Sequence, residues 1–193
     1  MRILRLPLLA LALSIVTLAS EARAATTIKD SSTHTRPQQI DAVALLNFFG
    51  TYNHFGLGVW YGYPIVPDGF IPALNDALFI EVGAAIERYS WDYSFLYSCS
   101  YSWYRLSPLG GVRYSFYLND EWTVYATAKA GYGVGFGDKY QCGGYTGSVS
   151  SGVSYSQFIV DFGAGAYWSF SDAYSMRFDL GYFGLGAGAG MQL

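Results

Sequence analysis

Apolar and polar residues alternate along most of this chain. Between Trp122 and Phe136 every even position is apolar or aromatic, and every odd position is polar or very small. Successive side chains of a β-strand point to opposite faces, so this unbroken alternation predicts a strand. The same pattern predicts strands over 54–63, 78–86, 109–118, 158–170 and 174–182 and, with softer alternation, over 42–52 and 186–193.

Short polar pairs separate the predicted strands where the alternation stops. Asn119-Asp120 and Ser171-Asp172 suit tight hairpin turns, because these residue types tolerate turn conformations. Pro108 cannot donate a backbone hydrogen bond, so we start the strand 109–118 after it. Successive hairpins in this order predict an antiparallel, up-and-down β-barrel, for which eight strands is the smallest common number.

Composition indicates that the barrel spans a membrane. The chain is 52% hydrophobic, 19% aromatic and only 13% charged, whereas an average soluble domain is about 25% charged. So many aromatics and so few charges exclude a disordered chain. Beyond the N-terminus no run of 18 apolar residues is present, which excludes a transmembrane helix there. A closed barrel is the other structure that can cross a bilayer, and the expected fold class is therefore an all-β transmembrane barrel.

The N-terminus has the features of a secretory signal peptide. Arg2 and Arg5 precede an apolar run over 6–19, and Ala22-Arg23-Ala24 is a small-x-small cleavage site. A membrane anchor is the alternative, but the run is shorter than the roughly 20 residues that span a bilayer. The sequence thus divides into a signal peptide, a flexible leader and an outer-membrane β-barrel, over residues 1–24, 25–39 and 40–193.

The charge of the exported chain argues against a nucleic-acid partner. Removing residues 1–24 takes away three of the 11 basic residues and one of the 14 acidic residues, which leaves 8 against 13 and a net charge of −5. No basic patch survives, so nucleic acid is not expected to bind.

Charged residues within the predicted strands share the face opposite to the apolar one. They are Glu81, Glu87, Arg113, Lys129, Asp161, Arg177 and Asp179. A charge at the lipid midplane costs about 2–4 kcal/mol, which explains the segregation. Arg88 alone falls on the apolar face, at a strand end where it can reach the headgroups.

These charges predict a network of salt bridges inside the barrel. Counting from the turns puts Arg177 level with Glu81, Arg113 with Asp179, and Lys129 with Asp161 and Glu87. Eight strands enclose a lumen that side chains can fill, so we favour a salt-bridged plug. A charged ion pathway is the alternative.

The two cysteines fall in predicted loops on the same rim. Outer-membrane barrels keep short turns on the periplasmic side, which makes 91–104 and 137–154 extracellular loops. Each contains one cysteine, Cys99 or Cys142, and two such cysteines in an exported protein favour a disulfide. A reactive or metal-binding thiol pair is the alternative, but no histidine or acidic cluster accompanies either cysteine, and no metal is expected.

Aromatic residues occupy alternate positions from Tyr89 to Trp103. We interpret them as strands that extend beyond the membrane, with the lower rings in the interfacial aromatic girdle. The upper rings form a candidate surface for an extracellular ligand or protein, in the loop 91–104. The candidate residues are Tyr93, Phe95, Tyr97, Tyr101 and Trp103. The proline-rich segment 63–77 is a rigid connection to which the sequence assigns no role.

Catalytic motifs are nearly absent. His34 lies in the leader and His54 near a strand start, and spacing indicates no serine or acidic partner for either. We therefore expect no enzyme, no catalytic residues and no cofactor. A lipid-modifying enzyme that uses His54 is the alternative.

The hairpin GGVRYSFYLNDEWTVYATAKAGYGVGF, from Gly110 to Phe136, resembles small outer-membrane β-barrel proteins of the OmpA-like and OmpW-like porin superfamily. The resemblance implies a location in the bacterial outer membrane, in contact with its lipid, and a structural, adhesive or small-pore role. It brings no catalytic residues. Such barrels usually end in an aromatic residue, whereas this sequence ends Met191-Gln192-Leu193.

Three functional classes follow from this interpretation. The first is a non-enzymatic outer-membrane barrel with a structural or surface-interaction role and a plugged interior. The second is a narrow pore for small solutes or apolar molecules. The third is a soluble surface β-sandwich that acts as an adhesin. The sequence does not indicate an oligomeric state.

Overall fold

The computed structural model describes residues 28–29, 36–47, 53–94, 98–142, 145–147 and 153–193, and every regular element in these ranges is a β-strand. The strands are β1 (Gln39–Asn47), β2 (Asn53–Val66), β3 (Asp76–Ser94), β4 (Ser98–Tyr117), β5 (Trp122–Cys142), β6 (Tyr145–Gly147), β7 (Val153–Ser169), β8 (Tyr174–Gly181) and β9 (Gly184–Gln192). The predicted signal peptide lies outside the described residues.

Eight of these strands close into one barrel. Each pairs antiparallel with its neighbours in the order β4-β3-β2-β1-β9-β8-β7-β5, and a further β4–β5 pairing closes the ring. The short strand β6 pairs only with β5. The prediction of an antiparallel, up-and-down barrel of eight strands is confirmed. The alternative of a β-sandwich is wrong, because the strands form one closed sheet instead of two packed sheets.

The strands are strongly staggered around the barrel. Following register partners once around the sheet starts at position 166 of β7 and returns to the same strand at position 156, a displacement of ten residues. The partners in order are Ala166, Phe178, Ala187, Ala44, Leu57, Ile86, Leu106, Val134 and Ser156. Strand stagger and tilt are linked, and small barrels of this kind tilt their strands by about 40°. Each residue then rises about 2.5 Å along the barrel axis, since a strand advances about 3.3 Å per residue.

The barrel wall has different heights on its two sides. We call the end that contains Gln39 and Gln192 the near end and the opposite end the far end. Strands β3, β4 and β5 have 19, 20 and 21 residues and project beyond β8 and β9, which have 8 and 9. The expectation that 91–104 and 137–154 are loops is therefore wrong for much of both. The β3–β4 ladder continues beyond the apolar residues to the pair Ser94 and Ser98.

Pro108 lies inside β4, so the prediction that the strand begins after it is wrong. The β3–β4 ladder runs through the pair Ala84 and Pro108, whereas the β4–β5 ladder passes from Leu106 to Leu109 without a pair between them. In an antiparallel ladder each residue directs its N–H and C=O to one neighbouring strand. The missing proline donor therefore interrupts pairing on one side only, and the strand persists.

Both short turns are held by a polar side chain. The Asn119 side-chain oxygen accepts the backbone N–H groups of Glu121 and Trp122 at 2.9 and 2.7 Å. The Ser171 hydroxyl accepts the backbone N–H of Tyr174 at 3.0 Å. These bonds supply the turn chemistry that the sequence indicates at both positions.

Part of the leader packs against the near end. The Arg36 guanidinium lies 3.7 Å from the ring centroid of Tyr117 and donates to the carbonyl oxygen of Pro67 at 3.3 Å. The backbone N–H of Asn75 donates to the carbonyl oxygen of Ile28 at 2.8 Å. Of the expected leader, the structure describes residues 28–29 and 36–38, and β1 begins at Gln39, one residue before the predicted boundary.

Candidate functional site: the barrel interior and outer belt

A cluster of ion pairs fills the near half of the lumen, and we call it the lower charge layer. Arg177 is fully buried at its centre. Its Nη1 lies 2.8 Å from Asp41 Oδ2 and 2.7 Å from Glu81 Oε1, and its Nε lies 2.8 Å from Asp179 Oδ2. One guanidinium thus connects carboxylates from β1, β3 and β8. Arginine suits this position because its planar fork of donors can serve several acceptors at once.

Two further cations complete the lower charge layer. Lys129 Nζ lies 2.8 Å from Glu81 Oε2 and 4.0 Å from the Trp60 ring centroid. Arg113 Nη1 lies 3.3 Å from Glu81 Oε1. Three bases therefore face three acids: Arg113, Lys129 and Arg177 against Asp41, Glu81 and Asp179. The layer is balanced in charge, which buried ions require because an uncompensated buried charge is strongly destabilising.

Tyrosine hydroxyls complete the hydrogen bonding of this layer. Tyr167 donates to Asp41 Oδ2 at 2.7 Å, and Tyr125 donates to Asp179 Oδ1 at 2.7 Å. Gly165 provides the space for one of these rings: a Cβ there would lie 2.3 Å from the Tyr125 hydroxyl and 2.2 Å from the Phe178 carbonyl oxygen. This inward glycine therefore leaves space for the Tyr125 ring of the neighbouring strand.

A second, smaller polar cluster, the upper charge layer, occupies the far half of the lumen. Arg105 donates to Glu87 Oε2 from Nη2 at 2.8 Å and from Nε at 3.1 Å. His54 Nε2 lies 3.3 Å from Glu87 Oε1 and 3.0 Å from the carbonyl oxygen of Phe183. The Tyr89 hydroxyl also donates to Glu87 Oε1, at 3.2 Å. His54 thus connects the upper charge layer to the β8–β9 turn.

A layer of buried apolar side chains separates the two charge layers. Ala85 lies between Glu81 and Glu87 on β3, and Leu109 lies between Arg113 and Arg105 on β4. The apolar layer consists of Val43, Leu45, Trp60, Ala85, Leu109, Ile159 and Phe183, all less than 6% exposed. A cavity of about 20 Å³ beside it, lined in part by Lys129, has room for about one water molecule.

The structure places the seven predicted interior charges inside the barrel, with partners that differ in part from those expected. Arg177 meets Glu81, as the level counting indicated. Arg113 contacts Glu81 and not Asp179, and Lys129 also contacts Glu81. Asp161 accepts the backbone N–H of Tyr182 at 2.9 Å. The level counting ignored the stagger between strands, which displaces neighbouring strands along the barrel axis.

Sequence reasoning missed two charges of these layers, Asp41 and Arg105. Asp41 is 1% exposed and Arg105 is 3% exposed. Asp41 precedes the predicted start of its strand by one residue, and Arg105 lies between the predicted loop 91–104 and the predicted strand 109–118, which starts after Pro108. Extending the alternation backwards in either strand puts both residues on the inward face.

Two rings of the aromatic series, Tyr89 of β3 and Trp103 of β4, lie in the interior. Tyr89 and Trp103 are 7% and 9% exposed, and their rings stack with centroids 5.0 Å apart. The girdle assignment of Tyr89 and the surface-binding assignment of Trp103 are therefore wrong, since both residues share the inward parity of Glu87 and Arg105. Tyr101 packs against Trp103 at 5.2 Å. The Tyr93 side chain and all of Phe95 and Tyr97 lie outside the described residues.

An apolar belt covers the outward face of the barrel. Large side chains that a soluble protein would bury are exposed here: Phe55 56%, Leu57 63%, Val59 55%, Ile80 44%, Val82 46%, Phe158 63%, Val160 44%, Phe162 71% and Leu180 60%. They come from four strands, β2, β3, β7 and β8. A contiguous exposed surface of this kind marks contact with a partner or a membrane.

Paired aromatic rings border the belt on both sides. Toward the near end Trp122 stacks on Trp168 at 6.4 Å, and toward the far end Tyr132 packs against Phe158 at 6.0 Å. Trp122 and Tyr132 are ten residues apart on β5, which corresponds to about 25 Å along the axis at the tilt inferred above. That is the height of the apolar band of membrane barrels, which aromatic girdles flank. Arg88 is exposed at the far border, where its register partners are Phe55 and Tyr104.

The cysteines lie opposite each other at the far end. Cys99 on β4 is the register partner of Cys142 on β5. Directly opposed residues of an antiparallel pair have Cα atoms about 4.5–5.5 Å apart, which is within the range that a disulfide spans.

The described part of the chain contains no group of three histidine, cysteine or acidic residues that could hold a metal ion. Over the same ranges, no helix combines the length and apolar character needed to cross a membrane.

Comparison with known proteins gives matches only at the level of structure. No family model matches the chain, and no curated protein matches its sequence. A designed transmembrane β-barrel is 15% identical, covers 84% of this chain and 100% of its own, and superposes with a TM-score of 0.43. The attachment invasion locus protein of Yersinia pestis, Ail, is 18% identical, with coverages of 81% and 97% and a TM-score of 0.45. The structure of Ail in complex with the heparin analogue sucrose octasulfate is 18% identical to this chain. It covers 80% of this chain and 92% of its own, with a TM-score of 0.40.

Proposed function

We propose that this protein is an integral outer-membrane β-barrel that does not conduct ions and serves a structural role in the cell envelope. The observation that carries the proposal is the combination of an exposed apolar belt with an interior that holds two layers of ion pairs. The inside and outside of this barrel are reversed relative to a soluble protein, and a bilayer is the solvent that stabilises such an arrangement. The predicted signal peptide supports export to that membrane.

We infer the orientation from the two hairpin turns at the near end together with the strands that project at the far end. The near end holds the two short turns at 119–120 and 171–172, and bacterial barrels place such turns in the periplasm. The taller strands β3, β4 and β5 then project outward from the cell. In this orientation the upper charge layer and the aromatic stack of Tyr89 and Trp103 lie toward the exterior.

Gel mobility tests whether the barrel is a membrane protein. Folded barrels that resist detergent migrate as compact bands and shift on boiling. We expect such a shift for the protein purified in detergent, because the closed ladder leaves no free edge among the eight barrel strands. A protein that stays soluble in plain buffer and migrates identically before and after boiling would contradict membrane insertion.

Conductance in planar bilayers distinguishes the plugged barrel from the narrow pore. We expect no current steps above the lipid background, since a layer of buried apolar side chains lies between the two ion-paired layers. Reproducible unit steps from the wild-type protein would overturn the plugged interior and favour the pore. A preparation that shows the boiling shift in the same vesicles is the control for correct insertion.

We also infer that a disulfide joins Cys99 to Cys142. The register opposition of the two residues supports this bond, and Cys99 is not a free thiol. Boiled protein without reductant should migrate faster than boiled protein with reductant, since a closed loop of about 43 residues keeps the unfolded chain more compact. Cys99→Ser should abolish that difference. A mobility that reductant does not change in the wild type would contradict the bond.

The proposal includes no enzymatic activity. His54, the only histidine in the barrel range, directs Nε2 at two acceptor oxygens inside the lumen, the Phe183 carbonyl oxygen at 3.0 Å and Glu87 Oε1 at 3.3 Å. No serine, threonine or cysteine nucleophile stands beside it in these contacts. His54→Ala is expected to alter stability and to leave lipid composition unchanged when the protein is incubated with outer-membrane lipid. Modified lipid that disappears with this variant would establish an enzyme.

A further inference from the structure

One strand lacks an apolar residue where the near border of the belt crosses it. On β3 the outward position at this height is Asp76, whose register partner on β4 is Phe116. Strands β5, β7 and β8 present aromatic residues at the near border, namely Trp122, Trp168 and Tyr174. A carboxylate on the outward face at this height would face the interfacial region of the bilayer, where girdle aromatics normally lie.

The connection between β2 and β3 covers this carboxylate. Asp76 is 1% exposed. Its Oδ2 accepts the backbone N–H groups of Phe70 and Ile71 at 3.2 and 3.4 Å, and it also accepts the Tyr114 hydroxyl. Gly69 has a φ of +61°, and a Cβ at this position would lie 2.1 Å from the Asp76 carboxyl carbon. The carboxylate is thus enclosed by a turn that only glycine accommodates.

The same turn puts an aromatic side chain on the outer wall. The Phe70 ring stacks on Tyr114 of β4 with centroids 6.1 Å apart and an interplanar angle of 15°. Phe70 is 64% exposed and Ile71 is 40% exposed. The exposed ring continues the outward series that Tyr114 and Phe116 form, and those two rings pack edge to face at 4.9 Å.

We propose that Phe70 is a member of the near girdle and binds the interfacial region of the phospholipid leaflet on that side, with Asp76 as the residue that positions it. This assigns a membrane-anchoring role to the proline-rich connection, and it rests on the proposed insertion in a bilayer. The partner is the glycerophospholipid boundary, because the ring is continuous with the belt and Phe70 and Ile71 present no charge.

Nitroxide labelling measures the depth of this turn. The Phe70→Cys variant is labelled and reconstituted in vesicles of phosphatidylethanolamine and phosphatidylglycerol. Its label should collide more often with oxygen, and less often with a water-soluble nickel chelate, than a label at position 172 does. Phe170→Cys, at the near border in the β7–β8 turn, is the matched girdle reference, and Asp172→Cys at the tip of that turn is the aqueous reference. A label at 70 that meets the chelate as often as the label at 172 overturns the proposal.

A further position separates failure of this inference from failure of the membrane proposal. Phe162 has the most exposed side chain of the belt. A label on Phe162→Cys should therefore show the highest rate of collision with oxygen. If the label at 162 also meets the chelate freely, the barrel is not inserted and both proposals fail. If the label at 162 is protected and the label at 70 is not, only the anchor is wrong.

Asp76→Ala in the Phe70→Cys background tests the positioning role. Loss of the acceptor should release the turn, so that the collision rate of label 70 with the chelate rises severalfold toward the value at 172. The boiling shift shows whether the variant barrel is still folded, and the label at 162 in the same Asp76→Ala background should stay protected. An unchanged rate at 70 in a folded variant overturns the role of Asp76.

Discussion

Arg177 lies where carboxylates from three strands converge, and its removal would leave these anions with fewer cations to balance them. Arg177→Met keeps much of the side-chain volume but removes the charge. Breaking a buried ion pair by deleting one partner costs about 3–5 kcal/mol, and we expect a loss of that size. Urea unfolding in lipid vesicles, followed by tryptophan fluorescence, measures it.

Arg88→Met is the matched control for that prediction. Arg88 is exposed at the far border of the belt and lies on the outward face. Surface changes of this kind usually stay within about 0.5 kcal/mol. Equal losses for the two variants would show that the lower charge layer does not stabilise the barrel more than a surface arginine does.

Adding one methyl group should destabilise the barrel more at an inward glycine than at an outward glycine. Gly165→Ala would press a Cβ against the Phe178 carbonyl oxygen and the Tyr125 hydroxyl, and overpacking of this kind costs about 1–3 kcal/mol. Gly110→Ala is the control, since a Cβ there meets only Val82 Cγ1, at 3.6 Å. The two variants are compared by the temperature at which the compact gel band is lost. Similar temperatures for both would contradict the tight fit around Tyr125.

At the scale of elements, alternation alone predicted the strands and the face of each residue. It failed at Asp41 and Arg105 because the strand ends were set by weaker signals, a soft start and a proline. It failed at Trp103 because exposure was inferred from position in a predicted loop, although the parity of this residue matches that of Glu87. Predicting which charges pair requires the ten-residue stagger of the barrel. That stagger depends on pairing between strands distant in sequence and is not visible within any one strand.

The two short hairpins permit a graded test of turn chemistry. Asn119→Ala removes two hydrogen bonds and Ser171→Ala removes one, and each such bond contributes about 0.5–1.5 kcal/mol. We therefore expect the asparagine variant to lose about twice as much unfolding free energy as the serine variant. Urea titrations of both proteins under one condition measure the ratio. A larger loss for Ser171→Ala would show that the polar side chains are not what holds these turns.

At the scale of the whole molecule, the height of the apolar belt determines the bilayer thickness at which this barrel is most stable. The aromatic borders are about 25 Å apart along the axis at the inferred tilt. Mismatch with hydrocarbon thickness has a modest free-energy cost for each ångström. Thermal stability in phosphatidylcholine vesicles of increasing acyl length should therefore peak near that thickness and decline on either side. A stability that does not depend on thickness would indicate that the exposed apolar residues do not contact lipid.

The seam between β1 and β9 has a consequence for how the barrel assembles. It joins the strands that are farthest apart along the described chain, so its loop-closure entropy is the largest of any strand pair. Contacts of such long range slow folding. The inward positions of β9 include Gly186, Gly188 and Gly190, so this strand orders almost no inward side chain as it docks. Docking of β9 therefore depends mainly on backbone pairing, and the ordering of inward side chains adds little to the entropy cost of closing the barrel.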